Sequence, residues 1–263
     1  MSGSDATTIG FVGTGAITKA IVTGLVDHAG VRGEIWLSPR SAEIVTVLTT
    51  RYPNVRVAKD NQDVVDRSRR VFMAVRPQVA QEVLSELSFS EEHIVINLIA
   101  GYTCERLERD SAQRPGRVVR AVPFPSIANG NCKTLIFPDD EDVRQMFERV
   151  GGTVGLSSEA QLETMVAMGA TMELFFRVLH TYADWAEKRG IDYASARTYL
   201  ASQYAGLVDI AIASQIPFDV LSKQFTTKGG LNEQVTTTFE NGGGFGLLQE
   251  ALDQVERRLL ASE

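Results

Sequence analysis

Seven short β-rich runs punctuate the first 155 residues of the chain: TIGFV, EIWLS, VRVA, RVFMAV, HIVINL, RVVRAV and TLIF. Stretches with helical patterning, at 16–28, 41–51, 77–87 and 139–150, lie between them. Apolar strands that alternate with helices have few ways to fold, because such strands are buried on both faces and parallel neighbours need crossovers. The pattern therefore predicts an α/β domain: a parallel sheet covered by helices on both sides. Pro77, just after VFMAV, suits the first turn of the next helix, where its missing N–H costs nothing.

After GGTVGLSSEAQ (151–161) the grammar changes. Ser157 and Ser158, followed by Glu159 and Gln161, read as a helix cap, and no further β-rich run appears. Met165, Met168, Met172, Phe175/Phe176, Leu179, Tyr182/Ala183 and Ala186 recur at three and four residues, which predicts one apolar stripe on one long helix ended by Gly190. Further helical patterning covers 192–214, 217–224, 231–240 and 245–261. The stripe serves either a monomer core or a subunit interface; Met172, Phe176 and Tyr182 belong to one of these rather than to a substrate wall.

The most specific local signal is the first strand running into Gly13-Thr14-Gly15-Ala16-Ile17-Thr18, with a helix at once behind it. A dinucleotide turn needs Gly13 for the bend, Gly15 so that backbone can approach a pyrophosphate, and a small third residue for helix–strand packing; Thr18 is small enough. The pyrophosphate sits on the helix N-terminus, where free N–H groups and the dipole favour an anion. The expected organisation is a nucleotide-binding Rossmann-type domain at 1–155 and an all-helical domain at 156–263. An NAD site usually places an acid about 20 residues past the glycines. Here the second strand ends WLSPRS, so Ser38 stands there and Arg40 follows. A hydroxyl and a guanidinium suit a 2′-phosphate, which favours NADP over NAD; a capped helix start with a solvated Arg40 is the alternative.

The charge balance, 26 Lys+Arg against 33 Asp+Glu for a net −7, argues against nucleic acid or an anionic membrane as partner. The DRSRR cluster at 66–70 reads as a solvated helix end. Cys104, Cys132, His28, His93 and His180 are scattered, with no metal-site spacing. No apolar stretch reaches ~18 residues, and MSGSDATT has no targeting character. A cytoplasmic protein without metal is expected.

At RVFMAVRPQ the sequence resembles the Δ1-pyrroline-5-carboxylate reductase family, whose members reduce a cyclic imine with NAD(P)H. Gly10, Gly13 and Gly15 match its opening motif. SPRS, with Ser38, Arg40 and Ser41, and Asn61 match its 2′-phosphate and adenosine contacts. Ala74, Val75, Pro77 and Gln78 match the loop under the nicotinamide ribose, and Ala100 and Gly101 the AG after the fifth strand. Arg120, Pro123 and Gly130 match a further segment, and KRGID (188–192) and Gly229-Gly230 carry the resemblance into the helical half. It implies NADP for the first domain and dimerisation and substrate binding for the second, with a cyclic imine substrate, a homodimer or ring of dimers, and an active site where the glycine loop of one subunit reaches another.

The departures fall on the substrate side. PNTP becomes Pro123-Phe124-Pro125-Ser126, and GSGPAY aligns with Gly169 to Leu174, placing Thr171 and Glu173 there. SPGGTT becomes Thr227-Lys228-Gly229-Gly230-Leu231-Asn232. The resemblance implies backbone N–H groups at Gly229 and Gly230 for a substrate carboxylate, helped by Lys228. Asn232 takes the place of a nitrogen-contacting threonine, with the Thr227 and Thr171 hydroxyls nearby. Glu173 either faces the pocket, attracting an iminium, or forms a solvated pair with Arg177 four residues on. Three functional readings stand: an NADP-dependent cyclic-imine reductase, a reductase of an open-chain imine or carbonyl acid, and a non-catalytic NADP(H)-binding redox sensor.

Overall fold

In the computed structural model the chain is described over residues 8–260. MSGSDATT therefore lies outside it up to residue 7, as does residue 261 of the last expected helix. The chain divides into two compact units, Met1–Val166 with Arg258–Glu263, and Ala167–Arg257. The dividing point falls inside a helix, whereas the composition change in the sequence lies at 155/156.

The first unit holds an eight-stranded sheet: β1 (Ile9–Val12), β2 (Ile35–Leu37), β3 (Val55–Val57), β4 (Arg70–Met73), β5 (Ile94–Asn97), β6 (Arg117–Val122), β7 (Thr134–Phe137) and β8 (Thr153–Gly155), in the order 3-2-1-4-5-6-7-8. All neighbours are parallel except β6 and β7. The crossovers are α1 (Ala16–Asp27), α2 (Ala42–Arg51), α3 (Asn61–Asp66), α4 (Pro77–Ser85) and α5 (Cys104–Asp110), with α6 (Glu141–Phe147) before β8. Side chains alternate strictly between two cores, as the pleat demands. Ile9, Phe11, Phe72, Ile94, Ile96, Val119 and Ala121 enter one; Val12, Val71, Met73, Val95 and Val118 enter the other. Phe11 and Phe72 are register partners and stack at 4.5 Å.

The cap before α7 (Glu159–Gly169) forms as expected: Ser158 Oγ accepts from the Gln161 N–H at 3.2 Å, and Gln161 Oε1 accepts from the Ser157 N–H at 3.0 Å. The single long helix expected beyond it is two. α7 stops at Gly169 and α8 (Met172–Glu187) starts anew behind Thr171, whose φ of −101° and ψ of 7° leave the helical region. Met168 and Met172 are four apart on either side, so the apolar period runs through the break. α9 (Tyr193–Ala213), α10 (Phe218–Gln224), α11 (Leu231–Asn241) and α12 (Gly244–Leu260) complete the chain.

The second unit buries very little. Among its described residues only Ala167, Ala183, Ala196 and Leu221 are buried hydrophobics, while Phe176, Ile212, Phe218 and Leu231 are 66%, 73%, 76% and 82% exposed. The stripe is therefore not a core of the single chain. No helix of the described residues is long and apolar enough to cross a membrane.

Candidate functional site

In an open parallel sheet, ligands bind outside the carboxyl ends of the strands where the chain direction of winding reverses. Here that point is β1, flanked by β2 and β4. Two loops meet there. Gly13 has φ +103°, and a Cβ on it would lie 2.5 Å from the Ala74 carbonyl oxygen and 3.0 Å from the Val75 nitrogen. The turn after β1 and the loop after β4 are thus in direct backbone contact, and only glycine permits it. Gly10 is needed for a different reason: a Cβ would meet Val64 of α3 at 2.6 Å.

Gly15 is the N-cap of α1 in an extended conformation, with no side chain capping the helix. A Cβ built there meets nothing within 4 Å. The lack of a side chain at Gly15 leaves open space over a helix N-terminus whose first N–H groups lack side-chain acceptors, with Ala16 exposed behind it. That is the donor set a pyrophosphate needs, so the residues present fit a dinucleotide. Thr18, in the third glycine position, is fully buried, and its hydroxyl donates to the Gly13 carbonyl at 2.7 Å. The larger residue is accommodated by bonding back to the turn.

Ser38 does not face outward as a 2′-phosphate contact would. It is 1% exposed, and its Oγ accepts from the Gly13 N–H at 2.9 Å. The Thr14 hydroxyl donates to the carbonyls of Ser38, at 3.4 Å, and Arg40. Ser38 and Thr14 therefore pin the glycine turn to the end of β2. Arg40 and Ser41 are exposed; Ser41 has φ +64° as N-cap of α2. Asn61 opens α3 behind the Asp60 cap and is half-buried. Ala74 and Val75 are half-buried, and Pro77 is exposed at the first turn of α4.

Beyond the turn, a cavity of about 120 Å³ lies at the carboxyl ends of β5 and β6, lined by Ile17, Ala100, Gly101, Pro123, Arg120 and Glu163 among others. Asn97 shapes its rim. The Asn97 amide donates to the Tyr102 carbonyl at 2.7 Å and its oxygen accepts from the Ile99 N–H at 2.9 Å, holding the turn that carries Ala100 and Gly101. Arg120 is 3% exposed and donates to Glu163, itself 1% exposed, at 2.5 Å and to Glu159 at 3.4 Å. Glu159 also accepts from the Cys104 N–H at 2.9 Å. Burial, with the Glu159 charge adding to it, pushes the Cys104 thiol up to about 12. Sequence reasoning passed over Asn97 and Glu163. The signals were present: a polar residue ending the apolar strand IVIN, and two acids four apart on α7 that require a shared cation. Phe124 packs half-buried against the core.

The residues assigned to the substrate lie in the helical unit. Thr171 and Glu173 begin α8, where Glu173 is exposed and faces Arg177 at 3.9 Å. Thr227, Lys228, Gly229 and Gly230 lie in the loop between α10 and α11, and Asn232 lies in the first turn of α11. The loop's glycine N–H groups and the Asn232 side-chain amide already have acceptors. The Gly229 N–H donates to Glu233 Oε2 at 2.6 Å, the Gly230 N–H to the Thr227 carbonyl at 2.7 Å, and the Asn232 amide to the Phe225 carbonyl at 2.8 Å. Asn232 also lines an open groove of about 910 Å³ with Tyr182, Trp185, Tyr199 and Phe225. Among the described residues no group of three or more His, Cys, Asp or Glu side chains is placed to hold a metal ion.

Residues 8–101 match the family described as NADP oxidoreductase, coenzyme F420-dependent, and residues 159–261 the family described as pyrroline-5-carboxylate reductase dimerisation. The pyrroline-5-carboxylate reductase of Escherichia coli (strain K12) is 26% identical over 255 residues, 93% of this chain and 94% of that protein. Two solved structures share the fold. A pyrroline-5-carboxylate reductase from Coxiella burnetii superposes with a TM-score of 0.84 at 24% identity, covering 98% of this chain and 99% of that one. A pyrroline carboxylate reductase of Plasmodium falciparum with NADP bound superposes with a TM-score of 0.83 at 15% identity, covering 99% of each.

Proposed function

The chain belongs to the pyrroline-5-carboxylate reductase family, and from that premise we propose that it is an NADPH-dependent reductase of a cyclic imine of the pyrroline class. The observation that carries the reading is the open, uncapped N-terminus of α1 over Gly15, held in place by the Gly13 contact with the loop after β4. When bound, the nicotinamide supplies a hydride from C4 to the imine carbon while the imine nitrogen gains a proton, so NADP⁺ and the cyclic amine leave. The chain's own work is positioning, which supplies roughly 7–11 kcal/mol of such a barrier. Gly13, Gly15 and α1 seat the pyrophosphate; Ala74, Val75 and Pro77 support the ribose beside it; Ala100, Gly101 and Ile17 border the space for the reacting ring. The loop at 227–232 receives the imine. Arg40, an exposed cation next to Ser41 where NAD enzymes use an acid, supports NADPH over NADH. We further assign the bare apolar surface of the helical unit, with Phe176 and Leu231 exposed, to a second copy of the chain.

The test is loss of NADPH absorbance with purified protein and a panel of cyclic imines, repeated with NADH and with Arg40→Ala. Turnover with NADPH, and a KM for NADPH raised about tenfold or more in Arg40→Ala with NADH little changed, is the expected result. Binding of NADPH without turnover of any imine would overturn it in favour of a cofactor-sensing role.

A further inference from the structure

We infer that the chain carries a second anion site, at the amino ends of β1 and β4, which takes a small phosphomonoester with an apolar group. The glycine turn lies at the carboxyl ends of these strands, where an open parallel sheet usually binds its ligands. At the opposite edge a cavity of about 410 Å³ opens over a floor of Ile9, Val31 and Met146, rimmed by Arg32, Arg70 and Arg149. Among the described residues that line it, Asp142 is the one acid. The lining therefore carries an excess of two positive charges, in a chain whose net charge is −7.

Arg70 carries most of the argument. It is the register partner of Ile9 at the start of β4, and the pleat turns it to the same face as Phe72, whose core includes Val143 and Phe147 of α6. Its side chain is 19% exposed, and its Nε is buried without a hydrogen-bond partner. A cation so far removed from water needs an anion beside it. Asp142 stands 3.7 Å away, but Arg117 holds that carboxylate more closely and takes Asp140 as well, at 2.8 Å. Burial holds the Arg70 guanidinium below its usual range; Asp142 pulls it back up, while Arg69 and Arg117 repel it. Arg32 and Arg149 stand exposed on the same rim, and among the described residues neither meets an acid; Arg149 reaches only the Ala29 carbonyl, at 3.4 Å. Guanidinium groups meet phosphate oxygens through paired hydrogen bonds. A phosphate dianion matches the excess of two charges, whereas a carboxylate would cancel one. The apolar floor leaves room for a hydrocarbon group behind the phosphate.

The experiment is calorimetric titration of the full chain with phenyl phosphate, inorganic phosphate and benzoate, in phosphate-free buffer, with and without NADPH. Phenyl phosphate should bind the most tightly of the three, and added salt should weaken it. Arg70→Met, and Arg32→Ala combined with Arg149→Ala, should each lower its affinity about tenfold or more. The second variant changes only exposed side chains, so it reads the site even where Arg70→Met disturbs folding. NADPH should bind both variants within about twofold of wild type, because its seat lies at the other edge of the sheet. Phenyl phosphate that binds no more tightly than benzoate or inorganic phosphate, or that keeps its affinity within about threefold in both variants, overturns the site. A parallel loss of NADPH affinity in the variants also overturns it, since the phosphate would then be occupying the cofactor seat. Failure of NADPH to bind the wild type would count against the reductase reading alone, and the phenyl phosphate titration would still decide this site.

Discussion

Two glycines two residues apart should fail in opposite ways when given a methyl group. At Gly13 the added Cβ would stand 2.5 Å from the Ala74 carbonyl oxygen, in a backbone at φ +103°. Strain at such a φ costs about 1–3 kcal/mol, and overpacking against backbone that cannot swing aside adds about 1–3 kcal/mol more. Gly13→Ala should therefore lose about 2–6 kcal/mol, a large part of a typical stability of about 5–15 kcal/mol. At Gly15 the backbone is extended, with φ −96° and ψ −171°, and the Cβ meets nothing within 4 Å. Gly15→Ala should cost at most about 1 kcal/mol of helix capping. Its methyl, however, occupies the space through which a phosphate approaches the α1 N-terminus. Loss of one charge-assisted hydrogen bond is worth about 1.5–3 kcal/mol, a Kd for NADPH about 10- to 150-fold weaker at 1.4 kcal/mol per decade. Urea unfolding followed by circular dichroism reads the first effect, and NADPH titration by fluorescence the second. A Gly15→Ala protein that binds NADPH within about threefold of wild type would refute the seat assigned to the pyrophosphate. Equal stability of the two variants would refute the contact argument.

The buried Arg120 offers a second test, because breaking its pair leaves Glu163 without a cation in a site 1% exposed. Arg120→Met should cost about 3–5 kcal/mol, and adding Glu163→Leu should restore most of it; a double variant no more stable than the single one would show that the pair does not act as a unit. Cys104 gives the pH dependence. Its thiol ionises near 12 in the folded chain but at about 8.5 when unfolded, so the folded state keeps a proton that the unfolded state sheds. The stability is whole below about pH 8.5 and declines as pH rises towards 12. Between pH 8 and pH 10 the urea midpoint of the wild type should therefore fall further than that of Cys104→Ala, and equal falls would contradict the buried thiol.

What was legible in the sequence follows from where the information is local. Seven strands were readable because each is an apolar run stopped by polar, Gly or Pro residues. The eighth, Thr153–Gly155, has three residues, none of them buried, and it exists through pairing with β7, a long-range contact that leaves no periodicity. α3 and α5 escaped for a related reason: with six and seven residues they have too few turns to display a stripe. The break between α7 and α8 was hidden because an i, i+4 pattern survives a turn of irregular backbone, and Gly169 was its only mark. In the site, residue type and spacing located Ser38 at the end of β2, but the direction of its hydroxyl depends on the Gly13 N–H, which belongs to another strand's loop. Glu233 is the reverse case. An acid three residues into a helix that follows two glycines is a purely local signal, an acceptor in reach of the amides before the cap. The same two amides read as an anion site when counted by residue type and as a closed one when their acceptors are followed.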